Sequence, residues 1–421
     1  MNATILRRLL PLLIAICTTA LLAQPLPRIA PETAGVSAER LNRLTATLDG
    51  YVASGQLPGG VVMIARDGKL IYARPFGMRD REAAAPMRED TIFRIASQSK
   101  ALVSTAILML QDEGKLVIGD PLWKTIPEFR NTTVAVKKEG GYDVVPAKRA
   151  ITLRDLLTHS AGIGYGWGAA ADRWKAAGIQ GWYFADRDEP IEATVLRMAS
   201  LPMDAHPGEA FVYGYAMDIL GVVVERVSGM PLDQFLRTRI TEPLGMNDTH
   251  FYLPAAKRDR LATVYSRRDA LGLERAPDVG TTESQGAYVE GPRKSFSGGA
   301  GLVSTAGDYL RLLQMIANGG ELDGVRILSR KTVELMTADH LGAVYKLPGQ
   351  GFGLGFSVAT DLGLRGVPGS AGEFGWGGAY HSVYWVDPRE RLAVVYLTQV
   401  IPARNLDDHA KLRALVYQAL D

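Results

Sequence analysis

The sequence has little of three things: cysteine, net charge and long uninterrupted hydrophobic runs. Its single cysteine excludes a disulfide framework, a thiolate zinc cluster and an iron–sulfur site. Basic and acidic residues nearly balance, 47 against 45, so the formal net charge of +2 does not favour nucleic acid as a partner. With 47% hydrophobic and 22% charged residues, the composition of the 421-residue chain excludes a disordered protein and a multi-span membrane protein.

The chain begins with an apolar stretch that is too short to cross a bilayer. An Arg-Arg pair at 7–8 precedes an apolar run of about 14 residues, whereas a spanning helix needs about 20. The pattern predicts a signal peptide over residues 1–23 with cleavage after Ala23. The mature protein is then expected to be exported, periplasmic or secreted, without a transmembrane span. Lipoprotein processing at Cys17 is the alternative, which the bulky residue before that cysteine disfavours.

Hydrophobic periodicity places strands near both ends of the chain and helices in the middle. Two β-hairpins are predicted, one around Asp67-Gly68 and one around the turn at 387–390. Together with terminal helices, they predict an α/β (α+β) domain built from residues 30–95 and 295–421, into which a mostly helical domain, 96–294, is inserted. The predicted helices are 35–54, 97–113, 151–159, 191–200, 215–229, 307–318 and 406–420, and a surface hairpin is predicted at 131–150.

The segment that carries chemistry is FRIASQSKALVSTAILML, in which Ser97 and Lys100 stand three residues apart at the start of a nearly all-apolar helix. A serine hydroxyl must lose its proton to act as a nucleophile. A lysine one turn away accepts that proton only if its pKa falls far below about 10.4. The Ser97 amide, at a helix N-terminus, is available to bind an oxyanion. Ser-x-x-Lys alone is a weak signal, and the alternative is a helix cap beside a solvated lysine.

Two further segments strengthen the catalytic interpretation. Tyr213-Gly214-Tyr215 comes just before an apolar helix, and Trp376-Gly377-Gly378-Ala379 comes at the entry to the C-terminal strands. Consecutive glycines before a strand allow a substrate to approach the backbone closely. The amide of Ala379 is therefore a second candidate oxyanion donor.

In this order, these three motifs resemble those of the serine β-lactamase/penicillin-binding-protein superfamily, and among its members the chain looks most like the family VIII carboxylesterases. The resemblance runs from about residue 30 to the C-terminus. It implies a β-lactamase/transpeptidase-like fold, in which an antiparallel sheet is flanked by the terminal helices. It also implies Ser97 as nucleophile, Lys100 as its activating partner and Tyr213 as general base, with Tyr215 as the alternative base. The amides of Ser97 and Ala379 would form the oxyanion hole, and no cofactor is implied.

Two positions depart from the superfamily pattern. Its β-lactamases and peptidases usually have asparagine where this chain has Tyr215, and lysine or histidine where it has Trp376. Asparagine can bind a substrate amide and lysine a substrate carboxylate, whereas tryptophan offers an apolar wall. The chain is therefore expected to cleave small neutral carboxylic esters. The alternatives are a β-lactamase or D-alanyl-D-alanine carboxypeptidase, an acyltransferase, and a binding protein with a decayed site.

Several other motifs have simpler interpretations. Thr158-His159-Ser160-Ala161-Gly162 lacks the first glycine of a nucleophile elbow and follows a helix, so Ser160 is interpreted as part of a helix C-terminal turn. The six histidines show no metal-ligand spacing, so no metal site is expected. His381 is interpreted as a strand residue, with lining the site as the alternative. The glycines at 351–355 are interpreted as strand glycines near the site. Four aromatic residues are interpreted either as an acyl pocket or as core: Trp167, Trp182, Tyr183 and Phe184.

Overall fold

The structure, a computed structural model, describes residues 25–268 and 272–421. The predicted signal peptide and Cys17 lie outside the described residues. Among the described helices, none is long and apolar enough to cross a membrane. The helices are α1 Ala38–Ala53, α2 Ser99–Asp112, α3 Leu153–Leu157, α4 Ala171–Ala176, α5 Ile191–Met198, α6 Ala216–Ser228, α7 Leu232–Leu236, α8 Ala306–Ala317, α9 Arg330–Met336, α10 Leu362–Arg365 and α11 Asp408–Tyr417.

Eight of the seventeen described strands form one antiparallel sheet in the order β12-β13-β14-β15-β16-β1-β2-β3. Its two halves come from opposite ends of the chain and meet where β1 pairs with β16, with Val61 beside Leu397. The strands are β1 Gly59–Arg66, β2 Lys69–Asp80, β3 Ala85–Pro86, β4 Phe93–Arg94, β5 Thr133–Lys138, β6 Gly141–Pro146, β7 Tyr265–Arg267, β8 Glu274–Arg275, β9 Val303–Ser304, β10 Glu321–Leu322, β11 Val325–Arg326, β12 Gln350–Phe352, β13 Ser357–Ala359, β14 Phe374–Gly378, β15 Ser382–Asp387, β16 Leu392–Leu397 and β17 Val400–Ala403.

The sheet has a hydrophobic core on each face, which explains why its central strands are apolar without alternation. Successive side chains of a strand point to opposite faces. Val61 and Met63 of β1 accordingly belong to the larger core, which also contains α2, α6 and α8. Val62 and Ile64 belong to the smaller core, which α1 and α11 cover. The Ser97 turn therefore lies between the sheet and the helical part of the chain.

The predicted architecture is confirmed: an antiparallel sheet built from both chain ends, with terminal helices on one face and a largely helical segment between its halves. Both predicted hairpins form, β1–β2 and β15–β16, and the surface hairpin forms as β5–β6. Of the glycines at 351–355, interpreted as strand glycines, Gly351 lies in β12. The sequence patterns missed β13, because a three-residue strand is too short to show a periodicity.

Candidate active site

Ser97 lies in a 3₁₀ turn, Ala96–Gln98, directly before α2 rather than on that helix as predicted. The backbone of Ala96 has φ +41°, a left-handed conformation that is strained for a residue other than glycine. Every residue of α2 from Ser99 to Leu110 is buried, so the core holds this turn in place. Lys100 occupies the first turn of α2, and its Nζ lies 3.1 Å from Ser97 Oγ.

The Lys100 side chain is 1% exposed and donates three hydrogen bonds. Its acceptors are Ser97 Oγ at 3.1 Å, the Tyr165 hydroxyl at 3.3 Å and the Gly299 carbonyl at 2.7 Å. Three acceptors match the three N–H groups of an ammonium. This arrangement suits a lysine that donates to its neighbours, and it places a tyrosine hydroxyl beside Ser97 and Lys100 as a candidate base.

A buried carboxylate that the sequence analysis did not single out lies behind the lysine. Asp218, in the first turn of α6, accepts hydrogen bonds from Ser297 Oγ at 2.6 Å and from the Gly299 amide at 3.2 Å. Burial raises the pKa of Asp218, while the bond from Ser297 and the charge of Lys100 oppose that rise. The segment around Gly299 therefore connects the carboxylate to the ammonium. The available signal was a lone acidic residue in an otherwise apolar helical stretch.

The Tyr213 hydroxyl accepts a hydrogen bond of 3.0 Å from the indole nitrogen of Trp376. Because an indole N–H can only donate, the tyrosine oxygen must accept this bond. The Lys100 ammonium lies 4.6 Å from the centre of the Tyr213 ring. The Tyr213 side chain is thus contacted by an N–H donor at its oxygen and by a cation at its ring. The sequence analysis treated Trp376 as an apolar wall, and the structure gives it this hydrogen bond as well.

Tyr165 is a second tyrosine in the site, and the sequence analysis missed it. Its hydroxyl accepts the bond from Lys100, and it lines the same cavity as Ser97. Burial raises the pKa of Tyr165 well above 10, and the nearby Tyr213 and Asp218 raise it further, against a lowering by the Ser97 hydroxyl. Tyr213, which the sequence motif singled out, stays the predicted base, and Tyr165 is a second candidate because it contacts Lys100.

The end of β14 brings the glycine motif against the Ser97 turn. A Cβ atom on Gly378 would lie 2.5 Å from the Ile95 carbonyl oxygen, so no larger residue fits at this approach. The motif and the turn together form one wall of a cavity of about 600 Å³. Thirteen described residues line this cavity: Ser97, Tyr165, Trp182, Tyr213, Trp376, Gly377, Gly378, Ala379, His381, Ser382, Val383, Ala403 and His409.

Tyr215 was predicted as the alternative base and as a substrate-binding residue, but it does not line the cavity. Its side chain is fully buried and stacks on Trp174 with ring centres 5.8 Å apart. Its hydroxyl donates to the Gly181 carbonyl at 2.7 Å. The prediction for Tyr215 is therefore wrong, because this side chain points into the helical part of the core rather than into the cavity.

The remaining candidates divide into residues that line the Ser97 cavity and residues that do not. Ser160 is buried at the end of α3, where its hydroxyl contacts Thr158 at 2.9 Å, as expected for a structural residue. Of the four aromatic residues considered for an acyl pocket, Trp182 lines the Ser97 cavity, whereas Tyr183 and Phe184 are core and Trp167 is 68% exposed outside it.

His159 and His381 both lie closer to the site than the sequence indicated. His159 is fully buried, with its ring centre 4.5 Å from that of Tyr213, and burial lowers its pKa well below 6.5. It is thus a neutral packing partner of the candidate base. His381 lies in the turn after β14 and lines the cavity, so the strand interpretation was wrong and the alternative was correct. It also meets Asp408 and His409, a cluster that spacing along the chain did not reveal.

Replacing Trp376 with phenylalanine is expected to lower kcat for an ester substrate by about 10- to 100-fold with little change in KM. The substitution keeps an aromatic wall but removes the N–H bond to Tyr213, and hydrogen bonds to charged groups contribute about 1.5–3 kcal/mol. Steady-state kinetics would measure the effect. The matched control is Trp182→Phe, which removes an indole from the same cavity; equal losses in both variants would contradict this role.

Comparisons with known proteins agree with this geometry. A family model described as Beta-lactamase matches residues 44–418. Protein Rv1367c of Mycobacterium tuberculosis is 38% identical over 382 residues, covering 86% of this chain and 92% of that protein. Esterase EstB of Burkholderia gladioli is 35% identical over 372 residues, covering 85% and 89%.

One solved structure is similar in both fold and sequence. It is described as EstCE1, a hydrolase with promiscuous acyltransferase activity, and it superposes with a TM-score of 0.79 at 30% identity, covering 90% of this chain and 99% of that one. The resemblance drawn from the Ser97, Tyr213 and Trp376 motifs is thereby confirmed. This chain belongs to the beta-lactamase family of the serine β-lactamase/penicillin-binding-protein superfamily.

Proposed function

We propose that this protein is a serine carboxylesterase that hydrolyses small neutral esters through an acyl-enzyme on Ser97. The observation that carries the proposal is the buried contact of Lys100 Nζ with Ser97 Oγ, 3.1 Å, beside a tyrosine whose oxygen already accepts a hydrogen bond. Because the ammonium donates to Ser97 Oγ, the serine hydroxyl keeps its own proton available for transfer to a base. The similarity to Esterase EstB supports the same class of reaction.

In the acylation step, the Tyr213 phenolate takes the proton of Ser97 while Oγ attacks the ester carbonyl carbon. The carbonyl oxygen becomes an oxyanion, for which the amides of Ser97 and Ala379 are the donors. Collapse of this intermediate breaks the bond to the alkoxide, which takes the proton from Tyr213 and leaves as the alcohol. Lys100 stays protonated throughout and stabilises the phenolate.

Deacylation repeats the sequence with water in place of the serine. Tyr213 takes a proton from a water molecule, and the resulting hydroxide attacks the acyl carbonyl. The second tetrahedral intermediate collapses to the free acid, and Ser97 Oγ recovers its proton from Tyr213. Both halves of the reaction use the same base and the same two amides, so no further group is required.

The cavity wall favours neutral substrates over the anionic amides of penicillins and peptides. Among the described residues that line it, there is no lysine or arginine, and several are aromatic. A substrate carboxylate would therefore meet no lysine or arginine side chain among these lining residues. An acyl or alcohol group instead gains contact with Trp182 and Trp376.

We expect kcat/KM for p-nitrophenyl butyrate to exceed that for nitrocefin by at least about 100-fold. The nitrocefin carboxylate has no lysine or arginine to pair with among the described residues that line the cavity, and the absence of such a pair costs several kcal/mol. Both substrates are chromogenic, so one spectrophotometer and one enzyme sample measure both. Efficient nitrocefin hydrolysis without ester cleavage would instead establish a β-lactamase. Adding an alcohol and analysing the products separates hydrolysis from acyl transfer, the activity that the EstCE1 description includes.

A further inference from the structure

His381, Asp408 and His409 form a compact cluster at the wall of the Ser97 cavity. One ligand atom from each side chain lies within 4.8 Å of those from the other two. His381 comes from the turn after β14, and the other two residues open α11. Both imidazoles line the cavity, whereas the Asp408 carboxylate is buried behind them. We propose that this cluster binds a divalent transition-metal ion such as Zn²⁺.

The residue types match what such ions prefer. Two imidazoles and one carboxylate are a common protein ligand set for zinc, with Zn–N and Zn–O distances of about 2.0–2.2 Å. Those bond lengths place ligand atoms about 3.4 Å apart in a tetrahedral site. His381 Nε2 and Asp408 Oδ1, now 2.7 Å apart, need to separate slightly, and the His409 nitrogen lies within 4.8 Å of both. The fourth position then faces the cavity and is left to solvent.

A hydrogen bond from a neighbouring side chain already fixes the orientation of the Asp408 carboxylate. Asp408 Oδ2 accepts a hydrogen bond of 2.7 Å from the Tyr396 hydroxyl, which leaves Oδ1 for the cluster. Oδ1 now accepts a bond of 2.7 Å from His381 Nε2. Ligating carboxylates are usually fixed by such second hydrogen bonds. On metal binding, Nε2 of His381 and Oδ1 of Asp408 exchange this hydrogen bond for bonds to the ion, and the Nε2 proton is released.

The positions of the two rings are also constrained. They stack with centres 4.0 Å apart and planes inclined by 15°. His381 adopts φ +61°, a left-handed backbone conformation that is unfavourable for a residue other than glycine. Such strain persists only where the surrounding structure over-determines it. The backbone at His381 therefore aims this side chain at Asp408 rather than letting it turn into solvent.

The test is a titration of the tag-free protein, after removal of bound metal with a chelator, with ZnCl₂ in a calorimeter. We expect one site with a Kd in the micromolar range or tighter. His409→Gln should weaken binding at least tenfold, whereas His340→Gln, at a distant and partly exposed histidine, should not change it. Binding that His409→Gln leaves unchanged, or the absence of saturable binding, would overturn the proposal.

Two further measurements keep the test independent of folding and of ester hydrolysis. Co²⁺ added to the wild-type chain should give the intense visible absorption of a four-coordinate site; only the weak absorption of hydrated Co²⁺ would contradict a built site. Ser97→Ala should bind Zn²⁺ as tightly as the wild type, because Ser97 is not a ligand. Loss of ester hydrolysis in that variant and loss of metal binding in His409→Gln thus report on two separate proposals.

Discussion

Replacing Ser97 with alanine is expected to lower ester hydrolysis by about four to six orders of magnitude while leaving the fold intact. Removing a serine nucleophile removes the covalent pathway, and the residual rate comes from binding and oxyanion stabilisation alone. The Ser97 hydroxyl accepts a hydrogen bond from Lys100 but contributes little to hydrophobic packing. The thermal unfolding midpoint should therefore change little. Initial rates with p-nitrophenyl butyrate and a thermal melt measure the two effects.

Ser160→Ala is the matched control, since Ser160 stands in the other serine motif and is buried away from the cavity. It should retain wild-type turnover. A fluorophosphonate probe should add its mass to Ser97 in the wild type and in the Ser160 variant. Near-wild-type activity in Ser97→Ala, or labelling elsewhere, would show that a different serine performs the chemistry.

Replacing Tyr213 with phenylalanine is expected to lower kcat by about 10²- to 10⁴-fold with a small effect on KM. Loss of a general base costs about this much, and the ring that packs against His159 and Trp376 is preserved. The measurement is a kcat and KM determination across pH with a neutral ester. Retention of the acylation burst with loss of steady turnover would place the defect in deacylation alone.

Tyr165→Phe is the companion variant that distinguishes the two phenols of the site. The Tyr165 hydroxyl accepts one hydrogen bond from Lys100, so its removal should lower kcat by about tenfold. The reverse order, with Tyr165→Phe the more damaging change, would assign the base role to Tyr165. Equal and large losses would show that the two phenols act as one unit with Lys100.

Local sequence patterns predicted the elements that carry the nucleophile. An unbroken apolar stretch after Lys100 marks a buried helix, and Asp67-Gly68 marks a hairpin, because both signals depend on residues close together in the chain. Ser97 and Lys100 were found in the same way. Their three-residue spacing predicts proximity, which the 3.1 Å contact confirms.

The rest of the site depends on contacts between distant parts of the chain. Tyr165 reaches Lys100 from a glycine-rich loop that has no periodicity, and Asp218 reaches the same lysine through the backbone at Gly299. His381 and His409 meet because α11 packs against the sheet beside the turn after β14. Tyr215 was misassigned for the same reason, since one residue of displacement along an irregular segment turns a side chain from the cavity into the core.

The pairing of β1 with β16 brings together two segments that are far apart along the chain. Gly378, at the end of β14, packs against the carbonyl of Ile95 beside the Ser97 turn, and β15 and β16 connect β14 to β1. A truncated chain without β14 to β16 therefore lacks one wall of the cavity, and we expect such a fragment to hydrolyse no ester.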